Sequence, residues 1–314
     1  MMDRLEKLLF GIERTARILE VGPSHSPVAP KAAGWQSFVL DHATQADLKE
    51  IYREHGVALD RIEPVDFVWA GGAIHDAIPA AQHGTFDACI ASHVLEHLPD
   101  PLGFFASLDH LLTAGGIVSL ALPDKRFCFD YFRPLTLAPA WIEAFEHRLT
   151  RHTRRTLLES SAYQMSNGER VAWGQLDDTR IRLTGHLETA KRDADAAGLT
   201  GSAPYVDCHA WCFTPSSFEL LLLELGALGL IEFRISRLFP TDGHEFFVSL
   251  CKGRDQHGSD VQSRRLELLK AMIDELGDQD RRMKKRFKPQ IMYRGLHKLG
   301  RMVKSAARTA LPLK

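Results

Sequence analysis

Two acids flank a tight turn near the start of the chain. Glu20 lies in the apolar run Ile18-Leu19-Glu20-Val21, the turn Gly22-Pro23-Ser24-His25-Ser26-Pro27 follows, and Asp41 ends a second run, Phe38-Val39-Leu40, 19 residues after Gly22. In an open parallel sheet a nucleoside cofactor approaches the turn after the first strand, and an acid closing the second strand accepts both ribose hydroxyls. A pyrophosphate would call for three glycines in that turn, where Ser24 and Pro27 stand instead, which argues against NAD. A carboxylate at Glu20 suits an ammonium. Together Glu20, Gly22 and Asp41 specify a nucleoside with a positive tail; taken one at a time, the two acids are ordinary strand-end residues.

A second set follows the fourth and fifth apolar runs: Ser92-His93-Val94-Leu95-Glu96-His97, then Pro123-Asp124-Lys125-Arg126. His93 and Asp124 fall at the ends of adjacent strands, where either can take a proton from a substrate. Asp124 can equally pair with Lys125, Arg126 or Arg133 as a structural bridge. His93 and His97, four apart, have ligand spacing but no third or fourth ligand in register, and Cys208-His209-Ala210-Trp211-Cys212 has no distant matching pair. No metal is expected. The aromatics Phe127, Phe129, Tyr131 and Phe132 can stack on a sugar ring or pin a loop to the core.

These positions need a scaffold of alternating elements. Apolar runs at Ile18–Val21, Phe38–Leu40, Val65–Trp69, Phe86–Ile90 and Ile117–Leu122 alternate with amphipathic stretches, which predicts an α/β fold with a doubly wound, mostly parallel, Rossmann-like sheet. Thr44 with Asp47 opens a helix reaching about His55, and Asp100-Pro101 opens another that Gly115-Gly116 closes. Thr214 caps a helix bearing Phe218, Leu221, Leu222 and Leu225. Ile231–Ile235 and Glu245–Leu250, joined by a loop with Pro240 and Gly243, read as an antiparallel pair at one sheet edge. The expected divisions are a cofactor-binding half over 1–124, a lid or substrate insertion over 125–208, the rest of the sheet over 209–253, and a helical extension over 254–314.

The first turn and the block Ala91-Ser92-His93-Val94-Leu95-Glu96-His97-Leu98-Pro99-Asp100-Pro101, with Leu111-Leu112-Thr113-Ala114-Gly115-Gly116, resemble class I S-adenosylmethionine-dependent methyltransferases, in particular the type 11-like subgroup that includes small-molecule and ubiquinone-pathway enzymes. The resemblance covers about residues 15 to 125 closely and 211 to 252 in pattern only. It implies S-adenosylmethionine as cofactor, held by Glu20, Gly22, Pro23, Ser24, Asp41 and Ser92, with adenine packed at Gly72, Ala73 and Ile74. Ser24 and Ser26 depart from the glycines usual in the family's first loop. Pro123-Asp124-Lys125-Arg126-Phe127-Cys128-Phe129-Asp130 is similar to bacterial members found among polysaccharide and glycosyltransferase genes. The expected reaction is methylation of a sugar hydroxyl or another small polar acceptor in surface-polysaccharide assembly. The alternatives are a degenerate cofactor-binding module in assembly or regulation, and an RNA methyltransferase.

Composition bounds the partners. The 314 residues carry 39 Lys or Arg against 40 Asp or Glu, so the whole chain presents no field that would draw it onto nucleic acid. The balance is uneven: residues 281–314 hold 12 basic and no acidic side chains, leaving 27 basic and 40 acidic before them. Met292, Leu296, Leu299, Val303 and Ala306 recur at helical spacing beside Arg294, Lys298, Arg301 and Arg308, which suits an anionic membrane surface. Leu266, Leu269, Ile273, Leu276, Met283 and Phe287, interrupted by Asp280, form a short heptad seam for a homodimer or for one helix laid on its own domain. Five scattered cysteines read as reduced thiols, and the charged start lacks a secretion signal, so the expected compartment is the cytoplasm, with peripheral attachment at the inner membrane face.

Overall fold

The computed structural model describes residues 2–174, 176, 179–197, 205–253 and 260–284. Its main sheet has seven strands: β1 (Arg17–Val21), β2 (Gln36–Asp41), β3 (Phe67–Val68), β4 (Phe86–Ser92), β5 (Leu112–Pro123), and, after an excursion, β9 (Phe233–Asp242) and β10 (Glu245–Lys252). The order is β3-β2-β1-β4-β5-β10-β9. The first five strands pair in parallel, and β10 runs antiparallel to both β5 and β9. The reversed strand therefore lies inside the edge, because the β9–β10 hairpin inserts its second strand next to β5. The chain order reverses between β1 and β4, which makes the carboxyl ends of those strands the switch point where such sheets bind ligands.

Alternation along the strands sends side chains to two faces. Leu19, Val21, Cys89, Ala91, Val118, Leu120, Leu122, Phe246 and Val248 belong to the larger core, while Ile18, Ala88, Ile90, Ala121 and Phe247 point to a smaller one shared with Leu8, Ile12 and Val28. The larger face is covered by α3 (Pro101–Leu111), α4 (Ala138–Glu146) and α7 (Pro215–Ala227). On the other face lies a short helix that the sequence pattern did not announce, α1 (Arg4–Leu8), capped by Asp3 and Glu6. The remaining helices are α2 (Gln45–Ile51), α5 (Arg154–Ala162), α6 (Leu187–Ala197) and α8 (Val261–Lys284). A second, three-stranded sheet is made by β6 (Met165–Asn167), β7 (Arg170–Val171) and β8 (Ile181–Leu183).

Helix starts agree with their caps. Thr44 and Asp47 form the expected capping box of α2, Asp100 caps α3 by accepting from Gly103 with Pro101 in the first turn, and Thr214 caps α7. Helix ends differ. α2 stops at Ile51 rather than near His55, and α3 stops at Leu111. Gly115 and Gly116 do not close α3; they lie within β5, Gly115 at φ +74°, where the strand shifts register against β4. The pair is a bend in a strand, which a glycine doublet permits as readily as a helix stop.

The segment from 125 to 208 is only partly an insertion. Trp141 of α4 is fully buried, with its ring centroid 6.1 Å from Phe105, 6.0 Å from Phe213 and 6.3 Å from Phe218. Residues 138–146 are thus a core element of the sheet's larger face, and α5, α6 and the small sheet lie outside that core. At the other end, Leu268 and Met272 of α8 pack on Leu220 and Leu223, with Arg265 Nη2 2.7 Å from Glu224. Leu266, Leu269 and Ile273 of the expected heptad seam face outward, so it is not this face that lays the helix on its own domain. The seam from Asp280 onward, including Phe287, and the basic stretch beyond Pro289 lie outside the described side chains. All five cysteines are free thiols, and no helix among the described residues is long and apolar enough to cross a membrane.

If α4 belongs to the core, Trp141→Ala costs about 3–5 kcal/mol, the loss typical of a buried indole. Urea unfolding of the full chain measures it; a cost below about 1 kcal/mol, the size seen at surface positions, would return 138–146 to the lid.

Candidate active site

At the switch point the first turn is narrow. Gly22 sits at φ +60° and donates its amide to Leu40 at 2.8 Å. A Cβ there would lie 3.0 Å from Val94 Cγ2, so the glycine lets the loop after β4 pass closely. Ser24 adopts φ +47°, the left-handed conformation that a glycine would take without strain. The serine that departs from the family's first loop therefore keeps a glycine-like backbone. Its amide donates to Asp41 Oδ2 at 3.0 Å, while Asp41 Oδ1 accepts from the His42 amide at 2.8 Å and faces His42 Nδ1 at 2.7 Å.

Glu20 turns the other way. Its oxygens accept the amides of Val28 at 2.5 Å and Ala29 at 3.1 Å, and burial pushes its pKa up to about 7 against the lowering effect of those two bonds. Glu20 shapes the chain after Pro27 rather than facing the opening of the turn. Pro23 and Ser24 are half-buried. Beyond β3, Gly71 and Gly72 adopt φ +112° and +81° with open space where a Cβ would be, and Trp69 Nε1 donates to Gly72 O at 3.1 Å. Ala73 is half-buried beside them, whereas Ile74 is in the core. Ser92 Oγ accepts from Arg4 Nη2 at 2.8 Å.

Around the ends of β4, β5 and β10 the structure gathers a cluster of imidazoles and acids. His93, at φ +54°, places Nε2 2.8 Å from Glu245 and Nδ1 3.2 Å from Glu96. Burial works against its charge, but the two carboxylates outweigh burial and raise its pKa to about 9. Glu245 is held at about 2: His93 and Arg4 overcome the upward push of burial. Arg4 of α1 bridges Glu245 at 2.8 Å and Ser92, which gives the unannounced helix a place in the site. Glu96 is fully buried, and burial favours its neutral form, yet His93, His97 and His209 hold its pKa below the ordinary value.

Both side chains expected to include a base are already committed. His93 has a carboxylate at each nitrogen. Asp124 is fully buried, pairs with Arg126 Nη2 at 2.5 Å and accepts from Thr241 Oγ1 at 2.6 Å, so it is the structural bridge between β5 and β9. Among the described residues a further imidazole, His244, stands beside them in the tight turn between β9 and β10. It is half-buried, burial lowers its pKa and so favours the neutral ring, and it lies tilted 4.6 Å from Trp173 and 6.0 Å from His93. Trp173 stacks in turn on Phe129 at 5.7 Å. Only the hairpin's register brings His244 beside His93, so its position in the sequence shows merely a Gly-His turn.

A family profile described as a methyltransferase domain matches residues 1–202, more than half of the chain. The chain belongs to that family. Its methyl donor is S-adenosylmethionine, the cofactor that the first turn implies. No curated protein matches this methyltransferase. Similar solved structures include a SAM-dependent methyltransferase from Aquifex aeolicus, at 14% identity over 79% of this chain and 89% of that one, with a TM-score of 0.39. Another is an S-adenosylmethionine-dependent methyltransferase from Mesorhizobium loti, at 15% identity over 79% and 95%, with a TM-score of 0.38. At such scores these likenesses add nothing to the strand order, which stands on its own register.

Two outcomes check the loop geometry of the methyltransferase. At position 24 the backbone, not the hydroxyl, decides: Ser24→Gly shifts stability by no more than about 1 kcal/mol, while Ser24→Val, β-branched at positive φ, destabilises by about 1–3 kcal/mol. Equal stability of the two variants in urea would remove the left-handed conformation from the account. Glu20 sets a pH dependence. Between 4.5 and about 7 the folded chain holds a proton that the unfolded chain has lost, so this group's contribution falls as pH rises through that window. Glu20→Gln flattens that slope; an unchanged slope would show that the Glu20 carboxylate is not desolvated.

Proposed function

We propose that this methyltransferase methylates a hydroxyl of a sugar, or of another small polar acceptor, in surface-polysaccharide assembly. The observation that supports this reading is the Trp173–Phe129 stack beside His244, at the carboxyl ends of the strands next to the switch point. An aromatic face with a neutral imidazole at its edge is chemistry for a sugar ring and one of its hydroxyls. The first turn serves the donor. Gly22, Pro23 and Ser24 would line it, Asp41 would take the ribose hydroxyls, and Gly72, Ala73, Ile74 and Ser92 would hold the rest of the nucleoside.

The residues fit the nucleoside part of the donor, whereas Glu20, expected beside its ammonium, is turned onto the amides of Val28 and Ala29. A carboxylate offers about four acceptor positions, and Asp41 uses three on Ser24 and His42. A ribose hydroxyl therefore takes the remaining one or replaces the Ser24 amide. Bound S-adenosylmethionine supplies an electrophilic methyl group on a sulfonium. Transfer to a hydroxyl forms the O–C bond, leaves the C–S electron pair on sulfur and releases one proton, which His244 is placed to accept. The His93–Glu245–Arg4 ion pairs hold the turn that carries it. A basic tail on an anionic membrane would bring the enzyme to lipid-linked glycans.

Calorimetric titration with S-adenosylmethionine and a turnover assay with sugar acceptors separate the steps. Asp41→Ala weakens donor binding by about 1.5–3 kcal/mol. His244→Ala leaves donor affinity unchanged and lowers kcat by about 10²–10⁴. Failure of the wild-type chain to bind the donor would overturn the donor site, and an unaltered kcat in His244→Ala would remove His244 as the base.

A further inference from the structure

The imidazole–acid cluster contains one group that the methyl-transfer reading leaves unused. Glu96 is fully buried; it is ion-paired with His93 at 3.2 Å, yet neither carboxylate oxygen accepts a well-formed hydrogen bond. An ionised carboxylate removed from water without donors is costly, and such groups are normally paired or bound to a metal. Glu96 is also fixed in place, because its backbone carbonyl accepts the amide of Ala210 at 2.7 Å.

Besides His93, two further imidazoles approach it, and each is oriented by an acid on its Nδ1. His97 Nδ1 lies 3.0 Å from Asp207, with Nε2 4.0 Å from Glu96. His209 Nδ1 lies 2.5 Å from Asp130, which is itself held by Arg133 at 2.6 Å. An acid on Nδ1 fixes the ring and leaves Nε2 with a free lone pair, the outer arrangement found around metal-ligating histidines. One ligand atom from each of Glu96, His97 and His209 lies within 4.8 Å of the others. An ion with bonds of about 2.0–2.2 Å needs only a small inward movement of these atoms. His209 reaches this position through the fold and not through sequence spacing, in which His93 and His97 have no third partner in register.

We propose that Glu96, His97 and His209 form a binding site for one divalent first-row transition-metal ion. Two imidazoles and one carboxylate suit Zn²⁺, Mn²⁺, Fe²⁺ or Co²⁺, whereas Mg²⁺ and Ca²⁺ favour sets made of oxygens. With three protein ligands the ion keeps at least one position for water or a substrate oxygen. The neighbouring group His93, His244 and Glu245 is also close enough for an ion, but Glu245 is already taken by Arg4 and His93. Glu96 meets only imidazoles, His93 Nδ1 at 3.2 Å and His97 Nε2 at 4.0 Å, and its Oε2 has no hydrogen-bond partner, which favours the Glu96 set.

The test uses the full chain after removal of metal by a chelator and reads binding, not turnover. Zn²⁺ is titrated calorimetrically and Co²⁺ by its visible absorption, each with Mg²⁺ as the competitor. One Zn²⁺ or Co²⁺ binds per chain and Mg²⁺ does not displace it. His97→Ala and Glu96→Gln each weaken Zn²⁺ binding by about 100-fold or more, and Asp207→Asn by about 10–100-fold through the lost orientation of His97. His97 is half-buried, so His97→Ala and Asp207→Asn carry the test if Glu96→Gln does not fold. Absence of stoichiometric Zn²⁺ or Co²⁺ binding, undiminished binding in folded His97→Ala, or binding that is lost only in His244→Ala would each overturn the assignment.

Discussion

A carboxylate sealed from water must find its counter-charge within the protein, and Glu96 imposes that requirement on the site. Three histidines from two distant stretches of chain converge on it. Their own partners extend the network outward, through Asp207 to Tyr205 on one side and through Asp130 to Arg133 on the other. Arg133 then donates to the carbonyl of His209 at 2.7 Å, which closes the circuit on the backbone. The burial of one acid at the end of β4 thereby fixes the segment 205–211 across the ends of the strands.

The same logic divides the sheet's carboxyl edge into two halves. At the ends of β1 and β2 the carboxylates Glu20 and Asp41 are held largely by main-chain amides, which leaves a close-fitting turn suited to a nucleoside. Around β4, β5 and β10 the groups are charged and coupled, and an aromatic stack stands over them. Methyl transfer needs this division, since the donor must be held without competing nucleophiles while the acceptor meets a group that can receive its proton. α1 joins the arrangement through Arg4, whose guanidinium neutralises Glu245 and so keeps His93 from being the site's only counter-ion.

Much of the frame is legible in the sequence because its signals are local. Thr44 with Asp47, Asp100 with Pro101, and Thr214 each name a helix start, and the apolar runs name the strands. Gly115-Gly116 misleads because glycine marks a bend in a strand as well as the end of a helix. Residues 138–146 read as insertion because Trp141 shows its partners, Phe105, Phe213 and Phe218, only once the sheet exists. The site divides in the same way. Glu20, Gly22 and Asp41 stand at the predicted strand ends, but which way their carboxylates turn depends on the amides of Ser24, Val28 and Ala29. His209, His244 and Arg4 were hidden by chain separation, since only the closing hairpin, the 205–211 crossing and α1 bring them to His93 and Glu96.

The account's central claim is that the donor lies on the β1–β3 side and its sulfur points across the switch point to the imidazole–aromatic side. A crystal structure with bound S-adenosylhomocysteine tests this directly. The account predicts ribose hydroxyls on Asp41, adenine at Gly72 and Ala73, and the sulfur turned towards His244 and Trp173. A nucleoside seated elsewhere, with Asp41 still closed on the Ser24 amide, would contradict it.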